Sequence, residues 1–192
     1  MKVLIIAATD FEVTSEKIRE FTLLISGVGM VNTAINLTKE LLKNDYDLVV
    51  NMGVAGSFSE DISLGEVVEV IDERFSEIGF EDGNRFKEFM GLNICNSYKV
   101  EGKTNLKKVK SITVNTVHGN ENSIQEIVKR LNPDVESMEG AAIFKVCKEF
   151  SIPCMQIRAI SNKVEKRNKA DWNIPLAIQN LNTTVEKIIA EL

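Results

Sequence analysis

Four short segments of this 192-residue chain set glycines or other small residues beside charged or amide side chains. In SGVGMVN, Ser26 to Asn32, Gly27 and Gly29 lie between a strand pattern and a helix pattern. Glycines there let the backbone approach a ligand, and the free N–H groups that open a helix attract anions. The spacing is close to G-x-G-x-x-G, but Asn32 stands at the third position, and Asp47 precedes the next strand instead of following it. Both departures argue against a dinucleotide fingerprint. In NMGVAGSF, Asn51 to Phe58, Ala55 and Gly56 follow an apolar run and form either a ligand-binding strand end or a tight turn. ESMEGAAI, Glu136 to Ile143, opens an apolar helix with carboxylates. These either favour the helix start electrostatically, or Glu139, followed by Gly140, Ala141 and Ala142, points into a cavity. In RAISN, Arg158 to Asn162, a charged Arg158 within an apolar strand needs a partner, which favours a site over a bare core position.

Other chemistry is poorly provided for. The single histidine, His118, has no partner nearby in sequence and reads as a structural or loop residue, and no Cys, His and carboxylate cluster has zinc spacing. Cys95, Cys147 and Cys154 form no C-x-x-C pair and leave an odd count, so reduced thiols and a cytosolic setting are expected. A net charge of −5 argues against nucleic acid as the main partner. The apolar run near the N-terminus is too short to span a membrane and lacks a leader-type cleavage pattern. Gly102-Lys103-Thr104 resembles the end of a P-loop, but Ser97 stands where the first glycine belongs. The cluster Lys99 to Lys110 reads as a solvated face; Lys163, Lys166, Arg167 and Lys169 follow RAISN directly and are placed to meet an anion.

Strand-like and helical segments alternate, which predicts an α/β domain with no internal repeat or splitting linker, one domain in all. Strands are expected at 3–8, 21–26, 48–52, 66–75, 111–117 and 153–160, the first three as runs buried on both faces. Helices are expected at 30–43, 124–131, 141–150 and 174–192, the last with Pro175 in its first turn and Asn173 or Asp171 as its cap. The stretch 76–108 has no clear period.

The order AATDFEV, SGVGMVNTA, NMGVAG, VESMEGAAIFKVC, IPCMQIRAISN resembles the purine nucleoside phosphorylase and nucleosidase superfamily through nearly the whole chain. The resemblance implies a central mixed β-sheet flanked by helices, no cofactor and no metal. It also implies a small nucleoside substrate, and a homo-oligomer, a dimer or dimer-based, with active sites near a subunit interface. Phosphorylases of the superfamily carry a phosphate-binding arginine where this chain has Asn51, so water is the expected nucleophile. The tail ISNKVEKRNKADWNIPLA and the AATDFE opening are similar to the futalosine hydrolases, which release hypoxanthine in menaquinone synthesis. The adenine-releasing methylthioadenosine/S-adenosylhomocysteine nucleosidases are the alternative; they place an aspartate where Asn162 stands and a serine where Val54 stands.

The resemblance also implies roles. Glu12 acts as general base on water, and Glu139, with Met138, grips the ribose. Arg158 holds the water or organises the carboxylates, and Asn162 binds the departing purine. Gly27 and Gly29 shape the ribose side, Ala55 and Gly56 let the base approach the backbone, and Ser161 is a further substrate-binding residue. No aromatic residue follows Val117-His118-Gly119 to stack on the purine, which leaves Phe58 or a second subunit to supply one.

Overall fold

A computed structural model describes residues 1–83, 85–89 and 94–192. The elements in order are β1 (Val3–Ala7), α1 (Glu16–Arg19), β2 (Thr22–Ile25), α2 (Met30–Leu41), β3 (Leu48–Ser57), β4 (Val67–Phe75), β5 (Gly79–Asp82) and β6 (Arg85–Glu88). They continue with β7 (Ser97–Lys99), β8 (Lys107–Thr113), α3 (Glu121–Leu131), β9 (Val135–Ser137), α4 (Gly140–Glu149), β10 (Cys154–Lys163) and α5 (Ile174–Ala190). The unreadable stretch holds the β5–β6 hairpin and the short β7.

The apolar runs at β1 and β3 are buried on both faces because helices cover both sides of the sheet. Val3, Ile5, Val50 and Met52 face α5 through Ala177, Leu181, Val185 and Ile189. Leu4, Ile6 and Val49 face α2 and α4 through Leu37, Leu41, Ile143 and Phe144. The run at 21–26 is different. β2 is the sheet's edge strand, with Thr22 and Ile25 exposed, so burial on both faces does not occur there.

Strand pairing is mixed, as the resemblance implied, and it closes on itself. One edge of β3 carries β10 in parallel from Val49 to Ser57. The other edge is shared, with β1 parallel along Leu48 to Asn51 and β9 antiparallel at Gly56 and Ser57. Since β9 pairs β8, β8 pairs β4 and β4 pairs β10, five strands form a ring. β1 and β9 therefore separate along β3, and that split is where a cavity opens.

Several boundaries differ from the periodicity. β3 runs through the glycine motif to Ser57, because β10 pairs it along its whole length. The strand expected at 111–117 is Lys107–Thr113. Its lysines alternate with buried Val109 and Ser111 beside β4, and the chain after Val114 leaves the sheet. Glu136 lies in β9, not at a helix start. Asn173, rather than Asp171, caps α5, accepting the Leu176 N–H at 3.2 Å. Among the described residues no helix is long and apolar enough to cross a membrane.

Candidate active site

The cavity has a volume of about 410 Å³ and opens at the C-terminal ends of β1 and β3. Glu12, Glu139, Met138, Ala55, Gly56, Ser161 and Asn162 all line it. Gly27, Gly29 and Arg158 do not.

Glu12 sits on a 3-10 turn just past β1 and is 8% exposed. Its Oε1 accepts the Val54 N–H at 3.1 Å and its Oε2 the Thr9 N–H at 3.0 Å, so the carboxylate is aimed before any ligand arrives. The turn is itself held from α5. Buried Asn182 donates to the Glu12 carbonyl at 2.9 Å and accepts the N–H groups of Thr14 and Ser15 at 2.9 and 3.0 Å. Nothing in the helical period around Asn182 signals that task; an amide on the apolar face of a helix is the only sequence cue.

Glu139 occupies the N-cap position of α4, but its side chain does not cap the helix. It turns away, and Oε1 accepts the Gly29 N–H at 2.9 Å. Of the two readings of this carboxylate, the cavity one describes its side chain. Gly29 takes φ = 89°, so its N–H is offered by a backbone that suits glycine. Gly29 thus serves the site through Glu139 and not as cavity wall; Gly27 also lies outside the cavity, its carbonyl accepting from the hydroxyls of Ser26 and Thr33. Burial pushes the Glu139 carboxyl above the ordinary carboxylate range; Arg158 and the Gly29 N–H pull it back, and the Glu12 charge adds to the rise.

Arg158 is 1% exposed, and its Nη2 donates to Asn51 Oδ1 at 2.7 Å. The guanidinium lies behind the cavity wall, where a side chain on Gly53 would put a Cβ 2.1 Å from Arg158 Nη1 and 2.9 Å from Glu12 Oε1. Gly53 is therefore the gap through which the cation and the carboxylate approach one another, a role its place in a glycine-rich motif did not single out.

On β10 a bulge makes Ser161 the extra residue, with Ile160 opposite Ala55 and Asn162 opposite Gly56. Consecutive residues of a regular strand face opposite sides; the bulge lets Ser161 and Asn162 share the cavity. Ser161 Oγ donates to Asn162 Oδ1 at 2.9 Å, and Asn162 Nδ2 donates to the Lys163 carbonyl at 2.9 Å.

His118 is not an isolated loop residue. Its Nδ1 lies 2.6 Å from Glu136 Oε2, and its backbone N–H donates to Glu136 Oε1 at 3.0 Å, with both residues on the cavity wall. Their separation in sequence hid the pair. Phe58 packs beside Ile112 and Val114 and meets His118 edge-on at 6.0 Å, outside the cavity; Phe11, His118 and Trp172 are the cavity's rings.

Of the basic residues after RAISN, only Arg167 lines the cavity, its guanidinium 4.8 Å from the Trp172 ring centroid. Lys163 is spent on the carbonyls of Ser59 and Ile62. In the earlier cluster, Lys108 pairs with buried Glu69 at 2.7 Å. The same carboxylate fills the backbone N–H groups of Lys103 and Thr104, so the P-loop-like segment binds a side chain.

Both glutamates thus reach one cavity from loops at the strand ends of a ring-closed mixed sheet, which defines an α/β enzyme of the nucleosidase type. The chain belongs to the phosphorylase superfamily, whose family model matches residues 6–190. It is 27% identical over 188 residues to the futalosine hydrolase of Thermus thermophilus, covering 89% of this chain and 82% of that one. It is also 27% identical over 208 residues to the 5′-methylthioadenosine/S-adenosylhomocysteine nucleosidase of Psychromonas ingrahamii, covering 100% and 90%. In fold it matches a Helicobacter pylori MTAN mutant solved with 5′-methylthioadenosine in the active site. The TM-score is 0.86 at 17% identity, over 100% of this chain and 99% of that one.

Proposed function

We propose that this chain is a futalosine hydrolase, cutting the N-glycosidic bond of futalosine to give hypoxanthine and dehypoxanthine futalosine in menaquinone biosynthesis. The observation that carries the reading is the amide of Asn162 on the cavity wall. Its oxygen is occupied by Ser161 Oγ, and one N–H is taken by the Lys163 carbonyl. The second N–H remains for N7 or O6 of a purine, both acceptors in hypoxanthine. Adenine instead presents an amino donor beside N7, which suits an acidic side chain better.

In this reading Glu12 takes a proton from water as its oxygen bonds to C1′, and the glycosidic electrons leave with the purine, whose anion the Asn162 N–H holds until it takes a proton from solvent. Glu139 and Met138 hold the ribose, and the carboxylate favours the positive charge that develops on the sugar. Arg158 is buried and does not line the cavity. It is a positioning residue that sets Asn51 and the two carboxylates. With Asn51 committed to Arg158 and to the Ile6 carbonyl, the strand end offers no fork for phosphate. Arg167, beside Trp172, is the cation for the carboxylate on the far side of the substrate. The active unit is a homodimer or dimer-based, with the second copy closing the cavity rim near Phe11 and Val28.

The test follows purine release by chromatography from futalosine, methylthioadenosine and inosine, with and without phosphate. Release of hypoxanthine from futalosine, independent of phosphate and well above release from the other two, is expected. Asn162→Asp should then move preference toward adenine nucleosides. Preferential release of adenine by the unaltered protein would overturn the substrate in favour of a methylthioadenosine nucleosidase.

A further inference from the structure

The pair His118–Glu136 has no part in the chemistry above, yet it faces the same cavity. Three neighbouring strands bring it opposite Asn162. Gly56 on β3 is in register with Asn162 on β10 and with Glu136 on β9. A Cβ on Gly56 would meet Val164 Cγ2 at 2.9 Å, Asn162 Nδ2 at 3.1 Å and Glu136 Cγ at 3.6 Å. Asn162 and Glu136 therefore flank Gly56, with a Val164 methyl packed on the glycine between them, and Asn162 and the histidine–glutamate pair line the same cavity.

Glu136 is 3% exposed in its side chain, and each of its oxygens is engaged by His118, one by the backbone N–H and one by the ring. An ionised carboxylate only accepts, so the ring nitrogen it meets, Nδ1, carries the proton. In the neutral imidazole Nε2 is then an acceptor. A site with an N–H donor at Asn162 and an acceptor at His118 complements a base with an acceptor on one edge and a donor on the next. A 6-oxopurine has that pattern, with N7 and O6 accepting and N1–H donating. Adenine opposes it, because its N1 is a lone pair that would face the lone pair of Nε2.

We propose that His118 is a specificity-determining residue that accepts the N1–H of the leaving purine, and that Glu136 is the positioning residue that fixes the tautomer needed for this. The inference rests on the nucleosidase reading of the site but not on the futalosine side chain. Arg167 is the other charged group beside this wall, its backbone N–H reaching the Gly119 carbonyl at 3.4 Å. It lies next in the loop contact and does not supply an acceptor.

The test uses a matched pair, 5′-methylthioinosine and 5′-methylthioadenosine, which differ only in the base. Glu136→Gln keeps the size and shape of the side chain. Its oxygen can still take the His118 backbone N–H, but its amide must then donate to Nδ1 and drive the ring proton to Nε2. The expected result is a shift of the kcat/KM ratio toward the adenine substrate by about tenfold or more. His118→Phe, which keeps a ring and removes both nitrogens, should weaken the preference to what Asn162 alone supplies, without reversing it. A merely structural pair would lower both substrates together. Where turnover is weak, the same ratio is read from calorimetric affinities for hypoxanthine and adenine. Parent protein that ignores futalosine, with variants that show these ratio shifts, refutes the substrate and supports the His118 assignment. Folded variants with the parent ratio, by turnover and by base affinity, overturn it.

Discussion

At the scale of single residues, the two glutamates differ in what their surroundings do to them. Glu12 is tied by three donors from Thr9 and Val54, whereas Glu139 takes the Gly29 N–H and is deeply buried. Burial raises the Glu139 pKa from its ordinary 4.5, and the consequence for stability has a definite sign. Below pH 4.5 the folded and unfolded chains both hold the proton. As pH rises above 4.5 the unfolded chain releases it first, so folding loses stability until the folded carboxyl has ionised too. Glu139→Gln removes that loss. Thermal melts should show the variant more stable than the parent at pH 7.5 and level with it near pH 4, while turnover falls about a hundredfold or more. Equal melting differences at both pH values would refute the assignment of strain to this carboxyl. The sequence made Glu139 legible as a candidate because small residues follow it. It could not choose between cap and cavity, since the choice depends on an N–H from Gly29, 110 positions away.

At the scale of elements, the site depends on how long strands stay paired. The period of the sequence ends β3 at Met52 because glycine and alanine carry no hydrophobic pattern; pairing to β10 carries the strand five residues further. Within that extension Gly53 has a specific burden. Gly53→Ala would place a methyl group against Arg158 Nη1 and Glu12 Oε1. Both groups are braced, by Asn51 and by Thr9 and Val54, so neither can retreat without breaking a hydrogen bond. Overpacking of this kind costs about 1–3 kcal/mol. Denaturant unfolding should register it, and kcat should fall more than KM rises, because the displaced groups act on the reacting centre. A fully active, equally stable variant would show that Arg158 and Glu12 have room to part. Bulges are equally silent in sequence. RAISN drew attention to this strand end, yet only the extra residue at Ser161 explains why Ser161 and Asn162 line the same cavity.

At the scale of the whole molecule, ring closure leaves one side of the sheet finished and the other open. β4, β8, β9, β3 and β10 satisfy one another, while β1 and β2 extend outward from β3 to an edge beside α2. The outer face of α2 carries exposed apolar side chains. Val31 and Ile35, four residues apart and so on one face, are 69% and 47% exposed, and Val28 just before the helix is 50% exposed. Val28 also lines the cavity, and Phe11 at the same rim is 85% exposed. Apolar surface continuous with a substrate cavity is what a second copy of the chain would cover, in keeping with the proposed dimer. A charge at the middle of that face tests the whole arrangement. Val31 does not line the cavity, so a monomeric, folded Val31→Glu product with weakened substrate binding would show that the second copy completes the site. Sedimentation should give a dimer for the parent and a monomer for the variant, with KM for the nucleoside rising several-fold. A parent chain that sediments as a monomer at micromolar concentration, with full activity, would leave the cavity to be closed by this chain's own loops.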